Sequence, residues 1–288
     1  MREQSSENLE KPRTTTTRRH LLKSSAVATV PFAAGCLTTG RRDLLDAIAD
    51  SVHQEEPPTA PGNKPVDTSE MTLVFEDWFE SGSLDRSKWR TKFPWDARTH
   101  NFDAYAADEN VYVDDGKLVL RGENKPQEGK SYTTGVVSAK YIFSPGYFEG
   151  VMKVPPRFPG SWPAFWLTSA SYWPPEVDIF EFFGADPEVY MTYHYDGDGE
   201  GSEQVRGTYE GPDYSADYHE FSVDWDPPHR VIWYIDGEER FRYTGDNIKF
   251  ENMYLILNFG LGAEFLGYPS AENLPATYEI ERVRVWER

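Results

Sequence analysis

From Met71 to Arg288, apolar and polar residues alternate largely with a period of two, and turn-forming residues break the alternation at short intervals. That periodicity predicts β-strands, because successive side chains of a strand point to opposite faces. Strands are expected at residues 117–121, 147–154, 177–183, 190–195, 220–226, 231–235, 239–243, 253–259 and 278–286. Asp236-Gly237 falls between two of them and predicts a hairpin, since glycine accepts the positive φ that such turns require. No long helical pattern interrupts the series. Many short strands over about 218 residues predict an all-β fold, an antiparallel two-sheet sandwich of the jelly-roll kind. A curved sheet of that type offers a concave cleft in which a long polymer can lie.

The pattern ahead of Met71 differs. Residues 37–70 carry Pro57, Pro58, Pro61, Gly62 and Pro65 among polar residues, which predicts a flexible linker. Within it Leu44, Leu45, Ile48 and Val52 have helical spacing, so a short amphipathic helix in the tether is expected. Residues 1–35 hold six basic and three acidic residues, against the trend of the rest. Thr17-Arg18-Arg19-His20-Leu21-Leu22-Lys23 precedes a mildly apolar stretch and then Ala33-Ala34-Gly35-Cys36. This resembles a twin-arginine export signal ending in a lipobox, which implies an extracellular protein with Cys36 as its lipidated first mature residue. The expected organisation is therefore 1–36 signal and lipobox, 37–70 linker and 71–288 a single folded β domain.

Composition narrows the field. The chain has 288 residues, is 39% hydrophobic and contains nine Trp with seventeen each of Tyr and Phe, so it can bury a core. Its single Cys excludes an intramolecular disulfide framework and a cysteine-based zinc cluster. The net charge of −19 argues against nucleic acid as a partner and against an anionic membrane surface, leaving membrane contact only through the N-terminal lipid. No run approaches the ~20 apolar residues that span a bilayer. Without its first 35 residues the chain carries −22, with only nine Lys among 23 basic residues. Such a surface is that of a protein adapted to high salt, where ions screen the self-repulsion.

The segment Glu176-Val177-Asp178-Ile179-Phe180-Glu181 places three acids inside an otherwise apolar strand, a costly arrangement unless the acids are paired or functional. Alternation puts Glu176 and Asp178 on one face and would send Glu181 to the other. One extra residue at Ile179 or Phe180, a β-bulge, returns Glu181 to the first face. The two glutamates then stand about 13 Å apart at the backbone. Inward-leaning side chains bring the carboxyls to roughly 5 Å, the spacing of retaining rather than inverting glycosidases. Mutual repulsion would raise the pKa of whichever glutamate acts as acid. Trp162 and Trp166 share a face with Ala164, and flat indoles there suit the apolar C–H faces of sugar rings, as does Trp173 just before the acid strand.

The acid string resembles glycoside hydrolase family 16, the group of laminarinases, lichenases, agarases and carrageenases. So do Gly160 to Leu167, Thr192-Tyr193-His194, the opening Leu73 to Phe79 and the ending Arg282 to Trp286. The likeness runs from Leu73 to Trp286 and is to the bulged, laminarinase-type form. It implies a concanavalin-like jelly roll, with Glu176 as nucleophile, Asp178 as its assisting carboxylate and Glu181 as general acid/base. It implies His194 near the acid/base, and Asn101, Tyr105 and Asn258 as sugar contacts. Many members bind a structural calcium through an Asp-Glu-Phe near the domain start. Here the string is Asp77-Trp78-Phe79 and a common C-terminal Asp is Glu281, so that calcium is doubtful and neither cofactor nor catalytic metal is expected. The expected activity is that of a secreted, monomeric retaining endo-β-glycosidase acting on a polysaccharide, a β-1,3- or mixed β-1,3/1,4-glucan. A galactan hydrolase (agarose or carrageenan) or transglycosylase on the same site, and a non-catalytic glucan-binding module, are the alternatives. Sulfated polymers would suit so acidic a chain only if basic side chains line the groove.

Overall fold

In a computed structural model that describes residues 65–197 and 201–288, the chain from Thr72 onward forms mainly antiparallel strands and two short 3-10 turns, with no α-helix among the described residues. One sheet has eight strands. Its order is Glu238–Tyr243, Arg230–Ile235, His219–Asp226, Gly146–Lys153, Ala276–Glu287, Lys117–Gly122 and Val111–Asp114, with Thr72–Asp77 also paired to Ala276–Glu287. The second sheet has seven, in the order Ser202–Glu210, Glu188–Asp196, Glu176–Glu181, Ser161–Ser169, Met253–Leu261, Val136–Ala139 and Trp89–Arg90. Ala104–Ala106 and Tyr132–Thr134 make a small parallel pair beside them.

This is the two-sheet all-β sandwich that the periodicity predicts, and all nine expected strands are present. The signal, the Cys36 lipobox, the tether helix and the linker up to residue 64 lie outside the described residues. The acid strand ends at Glu181 rather than Phe183, because Gly184 follows with φ +64°, a backbone setting that leaves the extended region. Asp236 and Gly237 have φ of +53° and +76°, the two positive angles of the predicted hairpin turn.

The core lies between the sheets. Trp89, Phe165, Tyr193, Trp225 and Trp233 are fully buried there, and each large side chain so buried contributes about 1.5–3 kcal/mol. Phe180 of the acid strand meets Phe221 of the opposite sheet at 4.4 Å between ring centroids.

That contact explains the bulge. Against Ser161–Ser169 the register runs Glu176 opposite Thr168, Asp178 opposite Trp166, then Phe180 opposite Phe165 and Glu181 opposite Ala164. Ile179 is the extra residue. Without it Phe180 would face outward and Glu181 inward, an unpaired carboxyl in an aromatic core, which is strongly unfavourable. Two apolar side chains and one acid thus set the local irregularity. From the opposite sheet, the buried indole of Trp233 donates through Nε1 to the carbonyl of Asp178 at 2.8 Å, next to the bulge.

Candidate active site

Residues opposite each other in a sheet share a face. Thr168, Trp166 and Ala164 alternate on one face of their strand, so Glu176, Asp178 and Glu181, paired to them, stand on that same face. The adjacent strand adds His194 opposite Glu176 and Thr192 opposite Asp178. From Thr168 to Ala164 is four residues on an unbulged strand, about 13 Å at the backbone. Asp178 sits midway.

His194 links the acids. Its Nε2 is 3.1 Å from Asp178 Oδ2 and 3.6 Å from Glu176 Oε1. Trp173 donates from Nε1 to Glu176 Oε2 at 3.1 Å, and Trp162 donates from Nε1 to Glu181 Oε1 at 2.8 Å. Each glutamate thus has its own indole donor, which steers the carboxylate without supplying a full counter-charge. Arg206, on the strand beyond, donates to Thr192 Oγ1 at 3.2 Å and is the permanent cation whose charge acts on Asp178 and Glu181.

Burial pushes all three carboxyls up. Asp178 rises to about 7, with the Arg206 charge and a hydrogen bond from Glu181 acting against burial. Glu181 rises to about 8, through burial and then the Asp178 charge, with the Trp162 bond opposing. Glu176 is also raised by burial and by Asp178, while His194 and Trp173 act the other way. His194 is lowered, chiefly by burial, so it is neutral at neutral pH. Close-set carboxyls in a dry site cannot all ionise, so the cluster retains a proton near neutrality. With the direction common to all three, their roles follow from surroundings. Glu176 is the more solvated glutamate, between an indole donor and an imidazole. Glu181 is deeper, at 9% exposure, and suited to hold a proton.

The other expected residues divide. Trp162 is half-buried between Phe183 and Phe265 while binding Glu181. Trp166 is buried, and its Nε1 donates to Asn258 Oδ1 at 2.7 Å, so Asn258 orients an indole of the site floor. Trp173 is 54% exposed beside His194 and presents an open ring. Asn101 and Tyr105 share no hydrogen bond with the acids. Asn101 lies beside its neighbour His100, and Tyr105 sits under the Arg98 guanidinium at 5.9 Å. Three residues escaped the sequence reading. Trp95, 47% exposed and 6.3 Å from Trp166, extends the aromatic floor. Arg206 supplies the positive field, and Trp233 holds the bulge from behind. Only an aromatic directly after a proline, Pro94-Trp95, hinted at the first.

As for metals, Glu176, Asp178 and His194 each offer a ligand atom within 4.8 Å of the others. Those atoms already serve one another and the Trp173 donor. At the domain start Asp77 accepts Phe79 N–H through Oδ1 at 3.0 Å and Trp89 Nε1 through Oδ2 at 2.8 Å. Glu281 meets Arg282, and the Trp78 ring packs against Arg282 and Arg284. With the Asp77 carboxylate committed and cations around Trp78, this donor set does not fit a calcium ion.

A bulged acid strand on the outer face of a two-sheet sandwich, walled by tryptophans, defines a glycosidase-type site. The family model for "Glycosyl hydrolases family 16" matches residues 77–259. The chain belongs to that family. It is 29% identical over 259 residues to glucan endo-1,3-beta-glucosidase A1 of Niallia circulans, covering 75% of this chain and 38% of that protein. Across three such relatives the chain spans about a third to a half of their length. Among solved structures it resembles a non-specific endo-β-1,3(4)-glucanase, SCLam, with TM-score 0.68 and 28% identity over 81% of this chain and 97% of that one. It also resembles a Z. galactanivorans structure in complex with laminaritriose and laminaritetraose, with TM-score 0.65 and 27% identity over 75% and 99%.

Proposed function

We propose that the protein is a retaining endo-β-glycosidase that hydrolyses a β-1,3- or mixed β-1,3/1,4-glucan. The observation that carries this reading is the bulge at Ile179, which puts Glu176 and Glu181 on one face with Asp178 and His194 between and beside them. The Glu176 carboxylate attacks the anomeric carbon as Glu181 passes its proton to the departing glycosidic oxygen. Glu181, now ionised, takes a proton from water as the water oxygen bonds to the anomeric carbon and displaces the Glu176 carboxylate, giving net retention. Asp178, bonded to His194, holds charge and proton near Glu176 during both steps. Trp162 and Trp173 pin the two glutamates and line the sugar path. The β-glucan assignment draws on the glucanase relatives; the galactan and transglycosylase readings share every one of these residues.

The Arg18-Arg19 segment and Cys36 support export by the twin-arginine route with a lipid anchor, and the mature charge supports a high-salt habitat. The protein works as a monomer without a structural calcium at Asp77. Product analysis after incubation with laminarin, lichenan, agarose and carrageenan tests the function. Release of β-glucan oligosaccharides, lost in Glu176→Gln, is the expected result, whereas binding without cleavage by the intact chain overturns it in favour of a recognition module.

A further inference from the structure

Five cations gather at the outer edge of the sheet that carries the acids. Arg86, Arg90, Lys92, Arg98 and Lys140 line a cleft of about 320 Å³, joined by Asp96. Two of the five are matched, Lys92 by Asp96 at 2.9 Å and Arg98 by Asp108 at 2.9 Å. The other three have no carboxylate partner among the described residues. Arg86 donates to Thr91 Oγ1 at 2.9 Å, Arg90 to the Pro94 carbonyl at 3.2 Å and Lys140 to the Arg86 carbonyl at 2.5 Å. On a chain of net charge −19, such a concentration of unmatched positive charge in one cleft is out of character and makes a local attractor for anions. Its field reaches its own acids. Asp96 is held low by its Lys92 hydrogen bond, the Lys92 charge and Arg90. At Asp108 burial is outweighed by bonds from Thr91 and Arg98 and by the charges of Arg98 and Arg86.

One residue of the cleft, Arg90, stands in register with the acid cluster. Arg90 lies opposite Ser138, Ser138 opposite Ile256, Ile256 opposite Trp166, and Trp166 opposite Asp178. One cross-strand row therefore runs on a single face from Arg90 to the middle acid. Four inter-strand steps separate them, roughly 19 Å along the sheet, a span of several sugar units. The Arg90 guanidinium leans back over the ring of Tyr254, which shares this face, at 6.0 Å. Between the two ends lie Trp166, the His100 ring stacked on it at 5.9 Å, and the open Trp95. A sugar chain laid across the strands from Glu176 would pass this aromatic floor and meet the cations.

We propose that the Arg86, Arg90 and Lys140 cleft binds an anionic substituent, a sulfate ester or a carboxylate, on the polysaccharide whose backbone is cut at Glu176 and Glu181, so that acidic polymers are preferred over neutral ones. The inference rests on the proposed hydrolase reading and specifies its substrate class. Guanidinium groups pair with such oxyanions through two parallel N–H donors, and a remote contact of this kind strengthens binding without touching the chemistry.

The test uses the full chain, laminarin, and two derivatives of the same laminarin, one sulfated and one oxidised to carry carboxylates, at fixed ionic strength. Arg90→Gln/Lys140→Gln and the charge-keeping Arg90→Lys are compared with the wild type after equal melting temperatures are established. Retardation in gels holding each polymer is measured beside cleavage. Expected is a kcat/KM ratio of anionic to neutral polymer above one in the wild type. That ratio falls about tenfold or more in the double variant, through KM, with most of it kept in Arg90→Lys. The derivative showing the larger fall identifies the anion. Equal ratios in wild type and double variant overturn the cleft, leaving the hydrolase reading intact and the cations as charges protecting a sheet edge. If no polymer is cleaved, the hydrolase reading fails. Retardation still decides the cleft: preferential retention of the wild type on an anionic polymer, lost in the double variant, supports it, and equal retention overturns it.

Discussion

Trp162→Phe isolates one hydrogen bond in the mechanism, because phenylalanine keeps a ring against Phe183 and Phe265 but removes the Nε1 donor to Glu181 Oε1 at 2.8 Å. That bond stabilises the ionised form of a carboxyl that burial and the Asp178 charge have already driven up to about 8. A hydrogen bond to a charged group contributes about 1.5–3 kcal/mol. At 1.36 kcal/mol per pKa unit, its loss moves Glu181 upward by about 1 to 2 units. In the proposed first step Glu181 carries its proton, so the alkaline limb of kcat/KM would belong to the free enzyme losing that proton. The limb is expected to move up by about 1 to 2 pH units in Trp162→Phe. Activity at neutral pH falls at the same time, since a weaker acid serves the leaving group less well. The assay is reducing-sugar release from soluble β-glucan between about pH 4 and 11, with initial rates below KM. An alkaline limb that stays in place, or moves down, refutes Glu181 as the acid fed by this bond.

Other outcomes follow from the same geometry. Glu181→Gln should lower kcat on native glucan by about 10²–10⁴-fold, and less on a substrate whose leaving group needs no proton, compared by steady-state kinetics. The raised carboxyls also bear on stability. Their folded pKa values of about 8 and about 7 exceed the ordinary carboxylate values, so the folded state binds the extra protons. Stability from this source is complete below the unfolded values and is lost as pH rises from about 4 through 8. The melting temperature of the wild type should fall across that window, and fall less in Glu181→Gln, by calorimetry at matched salt. Trp233→Phe orphans the Asp178 carbonyl and should cost about 1–3 kcal/mol in denaturant unfolding, with kcat reduced as the bulge loosens. Chelation should leave the melting temperature unchanged, whereas Asp77→Ala, which strands the Trp89 and Phe79 donors, should lower it under either condition.

The period-two pattern and the string from Glu176 to Glu181 carried much of this site in sequence order alone. Face parity along a strand is a local property, so the extra residue and the return of Glu181 to its partners' face were legible without a partner strand. Apolar Phe180 and charged Glu181 leave the chain little choice, because the wrong parity buries a carboxyl among aromatics. Which strands lie side by side is not local. Trp233 reaches the bulge across 55 residues, and Arg206 stands beside the acids only because its strand pairs with the one bearing His194. Asn258 accepts a hydrogen bond from Trp166 Nε1, a contact between neighbouring strands that sequence order does not show. Arg86, Arg90 and Lys140 are scattered in a strongly acidic sequence and read there as ordinary surface charges. Sheet order brings them to one edge and sets Arg90 in line with Asp178 across four inter-strand steps, because main-chain pairing fixes neighbours between strands just as alternation fixes faces within one.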